Sequence, residues 1–83
     1  MQWNIKNKRI LISNDLIIVN EKSVGVRVKR SDGVLLPKCE YFPRYTTSGE
    51  TLVEVISDST YTTIEMPQWL YNKRINSGFE IVT

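Results

Sequence analysis

The chain has 83 residues, enough for a single core and too few for a second independent domain, so residues 1–83 are expected to form one compact unit. It contains neither alanine nor histidine and a single cysteine, Cys39. These absences remove Ser-His and Cys-His catalytic pairs, imidazole metal ligands and any intramolecular disulfide, and leave no metal or cofactor expected.

The formal net charge of +2 is spread unevenly, with nine basic and four acidic groups in residues 1–44 against two basic and five acidic in residues 45–83. Such a split suits a surface that meets an anionic partner, unless folding interleaves the two signs. Met1 to Lys6 lacks the basic start and apolar run of a signal peptide, and the longest uncharged apolar run, Leu16 to Val19, is far too short to cross a membrane. A reduced, cytoplasmic setting without a membrane partner is the expectation.

Abundant Ile, Val, Thr, Tyr and Phe in the absence of alanine favour strands. Trp3 to Ile12 reads as a first strand, Ser13-Asn14-Asp15 as a turn, and Leu16 to Val19 as a short second strand closed by Asn20 to Ser23, an N-terminal meander. Val24 to Arg30 alternates strictly, which sends Val24, Val26 and Val28 to one face and Arg27 and Lys29 to the other. For the turn that follows, a two-residue Asp32-Gly33 loop would set Arg30 against Leu35. A three-residue Ser31-Asp32-Gly33 loop instead sets Arg30 against Val34 and Val28 against Leu36, apolar to apolar, with Gly33 left-handed beside a bulge. The second register is expected, and it places Leu35 on the basic face.

Pro37 and Pro43 bracket an edge strand or extended loop, and Ser48-Gly49 marks a turn. Thr51 to Ser57 and Thr60 to Met66 form a hairpin about Asp58-Ser59, with Val53 and Val55 on the face of Thr62 and Ile64. Pro67 to Asn76 is the one helix, with Pro67 in its first turn, Lys73 and Arg74 in its last and Gly78 beyond, anchored through Trp69, Leu70 and Ile75. Phe79 to Val82 closes the chain as a strand. The expected fold is mainly β, or small α+β: an antiparallel sheet or partly open small barrel of five to seven strands with one short helix near the C-terminus. Trp3, Tyr41, Phe42, Tyr45, Tyr61, Trp69, Tyr71 and Phe79 are expected to supply most of the core.

No catalytic residue is assigned. Glu54 and Glu65, placed diagonally on one sheet face, read as solvated carboxylates rather than an acid-base pair, and Cys39 as an inert thiol. The glycines show no phosphate-cradling order. Function is expected in binding: a non-enzymatic module that docks on a macromolecular partner, a protein first. The surface is assigned to Arg27, Lys29, Arg30, Leu35, Lys38, Tyr41, Phe42, Arg44 and Tyr45, because Tyr, Phe and Arg anchor interfaces and the 41–45 segment packs several together. An accessory or inhibitor protein of a phage or mobile element fits this size and composition. Two alternatives stand beside it. One is a nucleic-acid-binding small barrel, using the basic groups (with Lys6, Lys8 and Arg9) on phosphates and Tyr41 or Tyr45 for stacking. The other is a virion or assembly subunit that self-associates into homo-oligomers through a strand edge.

Overall fold

A computed structural model describes residues 7–83; Trp3 and Lys6, read above as part of the first strand and of a basic cluster, lie outside them. The described chain is mainly β, with two antiparallel sheets and one short helix. Strand β1 (Asn7–Ser13) is followed by a 3-10 turn at Asn14–Leu16, then β2 (Ile17–Val19), β3 (Ser23–Arg30), β4 (Leu35–Pro43), β5 (Glu54–Ser57), β6 (Tyr61–Pro67), helix α1 (Gln68–Arg74) and β7 (Phe79–Ile81). No helix of the described residues is long and apolar enough to cross a membrane.

The alternating valines make β3 the spine of one sheet. Val24 and Val26 are fully buried and Val28 nearly so. One edge of β3 pairs with β4, and the other is shared end to end by β2, opposite Val24–Val26, and β7, opposite Val28–Arg30. The second sheet has the order β1-β6-β5. Here β1 does not pair with β2, which corrects the expected meander. A seven-residue partner is available in β6, from Asn7 opposite Pro67 to Ser13 opposite Tyr61, whereas β2 offers three residues. The 3-10 turn therefore carries the chain from one sheet to the other.

Two seams join the sheets. At one, the Ser13 N–H donates to the Thr83 carbonyl at 3.5 Å; at the other, the Arg44 carbonyl accepts from Leu52 and Val53 at 2.8 and 3.2 Å, beside a Tyr45–Thr51 bridge. Between the sheets Ile10, Ile12, Val24, Val26, Phe42, Val53, Ile64, Met66 and Ile81 form the core, which α1 closes with Leu70 and Ile75. Buried Thr62 is satisfied there, its hydroxyl donating to Asn14 Oδ1 at 2.6 Å and lying 2.9 Å from Ser57 Oγ.

This core is aliphatic, not aromatic. Phe42 is the one aromatic side chain fully buried among the described residues, while Tyr41, Tyr45, Tyr61 and Trp69 are exposed. β-Branched side chains fill the narrow space between two twisted sheets, and the tyrosines stand on the outer faces where their hydroxyls stay in water. Trp69 thus does not anchor α1; Leu70 and Ile75 do. Proline 67 acts as the residue before the helix rather than within it, since its extended ψ of 142° is non-helical.

At the β3–β4 turn, the Arg30 N–H donates to the Val34 carbonyl and Gly33 has φ +91°, so the loop is Ser31-Asp32-Gly33. Lys29 then faces Leu35, but the ladder shifts before Arg27, which faces Cys39. The expected Val28–Leu36 pair gives way to a bulge of Leu36, Pro37 and Lys38 opposite Val28. Proline has no N–H to give the ladder, and the extra residues take it out of register. The β5–β6 turn also differs by a step: Ser57 faces Thr62 and the loop is Ser59-Thr60, because the Asp58 carboxylate accepts from the Thr60 and Tyr61 N–H groups at 2.8 and 2.7 Å.

Gly25 faces Tyr41 across the ladder, and a Cβ on Gly25 would lie 2.6 Å from Tyr41 Cε1. The tyrosine ring occupies the space a side chain would need. Gly25→Ala is expected to cost about 1–2 kcal/mol in the native background and to become neutral or stabilising with Tyr41→Ser, because the overpacking disappears while the gain in strand preference remains. A double-mutant cycle by urea denaturation measures this, and additive effects would contradict it.

Candidate interaction surface

The outer face of the β2–β3–β4 sheet is built by register. Ile18, Gly25 and Tyr41 form one row, Arg27 and Cys39 the next, and Glu80, Lys29 and Leu35 the third. Strand alternation puts all of these opposite the valine core. Four assigned residues, Arg27, Lys29, Leu35 and Tyr41, therefore share one face. Arg30 sits at the hairpin end, Lys38 in the bulge, and Arg44 and Tyr45 beyond β4. Phe42 does not belong to the surface: it faces Val24 and is 0% exposed, which corrects its assignment as a contact residue.

Most of the basic side chains on and around this face make a contact within the protein, although Arg27 Nε and Arg44 Nε are buried without a hydrogen-bond partner among the described residues. Arg27 Nη2 donates to the Leu36 carbonyl at 2.8 Å, capping the acceptor that the bulge releases. Lys29 Nζ lies 3.3 Å from Glu80 Oε1, and Arg30 pairs with Asp32. Arg44 Nη1 donates to the Asn20 carbonyl at 2.8 Å, with its guanidinium 5.6 Å from the centre of the Tyr45 ring. Lys38 has neither an ion pair nor a side-chain hydrogen bond among the described residues. Charges of the two halves meet in the pairs Arg9–Glu65 and Lys29–Glu80, so the uneven distribution along the chain is partly neutralised in space.

Apolar groups on this face remain open to solvent. Ile18 is 46%, Tyr41 42% and Leu35 50% exposed, and Val34 beside Leu35 is similar. Ile18 and Val34 were not assigned from sequence: the unbroken run Leu16 to Val19 hides which side chains point outward, and Val34 reads as the inner partner of Arg30. A second outer face, on β1-β6-β5, exposes Leu11, Ile56 and Tyr61.

On that second face Glu54 stands directly opposite Glu65, not diagonal to it. Asn7 Nδ2 donates to Glu65 at 2.9 Å and Arg9 Nη2 at 3.0 Å, and these donors hold the Glu65 carboxyl below its ordinary value of 4.5. A carboxyl stabilised in its ionised form is a poor proton donor at neutral pH. Cys39 is half-buried in the Arg27 row. Among the described residues no three metal-ligating side chains cluster.

One groove adjoins the basic face. About 310 Å³ in volume, it lies between the β4 bulge and the end of α1, with Val28, Leu36, Pro37, Ile75 and Phe79 as apolar lining and Lys38, Glu40 and Arg74 among its polar groups. Pro37 inside an extended segment was its signal in the sequence, as a mark of a bulge.

Comparisons with protein-family models, curated proteins and solved structures return no match to this chain.

The acidic groups make a checkable statement about pH. Glu65 is held down by Asn7 and Arg9, and Asp58 by the Tyr61 and Thr60 N–H groups. A depressed folded-state value means stability that is complete above the ordinary values of 4.5 and 3.8 and is lost as pH falls through the lower folded-state values. Glu65→Gln and Asp58→Asn should each flatten the fall of stability below about pH 4 and leave the slope between pH 6 and 8 unchanged. Thermal melts across that range test this; an unaltered acid limb would refute it.

Proposed function

We propose that this protein is a non-enzymatic interaction module that docks on another protein through the outer face of β2, β3 and β4. The observation that carries the reading is a contrast on one surface. Lys29 and Arg30 are paired with carboxylates and Arg27 and Arg44 each turn an N–H onto a main-chain carbonyl of the protein itself, while Ile18, Leu35 and Tyr41 stand open. Phosphate recognition needs free cations, and exposed neighbouring apolar side chains are what a protein interface covers. Tyr41, held flat against Gly25, loses little freedom on binding and suits an anchor position.

Photo-crosslinking groups placed at positions 18 and 35, with position 59 in the exposed β5–β6 turn as control, test the reading in the native host. Adducts to one protein from 18 and 35, absent from 59, are expected, together with a loss of at least tenfold in affinity on Leu35→Ser, about 1.4 kcal/mol. Adducts to nucleic acid or to a second copy of the chain would replace the reading with one of its alternatives. Fluorescence anisotropy with single- and double-stranded DNA and RNA should show no binding at physiological salt. Tight, steeply salt-dependent binding lost in an Arg27→Ala, Lys29→Ala variant would overturn the proposal.

A further inference from the structure

An apolar groove adjoins the open edge of β4. The Arg44 N–H donates to the Lys22 carbonyl at 3.0 Å, which sets the alternation of the β3–β4 ladder. Phe42 and Glu40 direct their main-chain groups at β3, and Pro43, Tyr41 and Cys39 direct theirs away from it. Pro43 is placed where its missing N–H costs the ladder nothing. The same alternation sends the Arg27 carbonyl to the opposite edge, where it accepts from Val82 at 2.9 Å. The N–H and C=O groups of Cys39 and Tyr41 thus face outward, and among the described residues no strand other than β3 pairs with β4. By contrast, the β5 edge spans only four residues, and the hollow beside it carries Arg9, Glu54 and Glu65 around Ile56.

Pro37 and Pro43 close this window at both ends, which blocks open-ended sheet growth and leaves room for one short segment. Of the charged groups lining the groove, Lys38 and Arg74 outnumber Glu40. The Glu40–Arg74 pair is long, 3.9 Å, and Lys38 is unpaired among the described residues. An acidic group is therefore favoured at the rim and an apolar one on the floor.

We propose that the β4 edge between Pro37 and Pro43 captures an extended segment of a partner protein, which adds as a strand and seats an apolar side chain, flanked by an acidic one, in the groove between the bulge and α1. Main-chain bonds to Cys39 and Tyr41 supply the attachment, and the groove with Lys38 supplies selectivity. The inference rests on the reading of the protein as an interaction module, but uses an edge and groove distinct from its outer face.

A random library of nine-residue peptides displayed on phage, selected against the immobilised full chain, provides the probe. Enriched peptides should share an apolar residue with Asp or Glu within two positions, and a synthetic copy should shift the amide signals of Cys39 and Tyr41 in a nitrogen-15 NMR titration. Methylation of alternate peptide nitrogens, which leaves the protein untouched, and Lys38→Glu should each weaken binding at least tenfold. The proposal is overturned if no peptide family is enriched, or if binding survives both changes. Peptides lost on Leu35→Ser or Ile18→Ser, yet indifferent to Lys38→Glu, would remove the edge proposal and leave the outer-face reading standing. A concentration-dependent dimer with protected Cys39 and Tyr41 amides would overturn it in favour of a second copy of the chain.

Discussion

The structure depends on β3 being bonded along both edges while its alternate side chains are buried. Val24, Val26 and Val28 each contribute about 1.5–3 kcal/mol relative to exposure, and they place β2, β7 and β4 around one line of core. Because β2 and β7 divide one edge of β3 between them, the chain's early and late segments must both be in place before that edge is satisfied. The contact of Ser13 with Thr83 extends the same dependence to the second sheet. A strand this central cannot slip by one residue without sending three valines into water and Arg27 and Lys29 into the core.

Pro37 is the main departure from that regularity, and its effects spread across the surface. The bulge releases the Leu36 carbonyl, Arg27 turns to cap it, and the cation most central to the basic face becomes a structural group. The same extra residues open the groove beside α1 and place Lys38 at its rim, without an ion pair among the described residues. One proline thus ties a cation of the outer face to the backbone and places another, Lys38, at the edge. The ordinary account of such a bulge is protection against edge-to-edge association, and the groove is compatible with it: limiting an edge to a short window also defines the length of what can pair there.

Local patterning made much of the fold legible. The alternation of β3, the glycine at position 33, the β5–β6 strands and the helix between Pro67 and Gly78 all follow from rules acting within a few residues of each other. Legibility ended where a distant partner decided the outcome. β1 gives no local sign that its mate is β6 some fifty residues away, and the Asp58 carboxylate moved a turn by one position through bonds that composition does not announce. The aromatic residues were misjudged for a related reason. Hydrophobic mass predicts burial only when the gap between sheets is wide enough to accept it, and a core lined by Ile and Val leaves room for Phe42 alone.

At the candidate surface, sequence placed Arg27, Lys29, Leu35 and Tyr41 on one outer face but did not show how the basic groups are engaged. Arg27 and Lys29 point outward as the alternation requires, but a list of basic residues cannot tell a free cation from one already committed to a carbonyl or carboxylate. Glu80 lies more than fifty residues from Lys29 in the chain and 3.3 Å from it in space. Once such pairs are subtracted, the surface is defined by Ile18, Leu35 and Tyr41, of which Ile18 was hidden inside an apolar run. A charge pattern along a chain is therefore an upper bound on the field at its surface, and on this face exposed apolar side chains stand beside cations whose charge is only partly balanced.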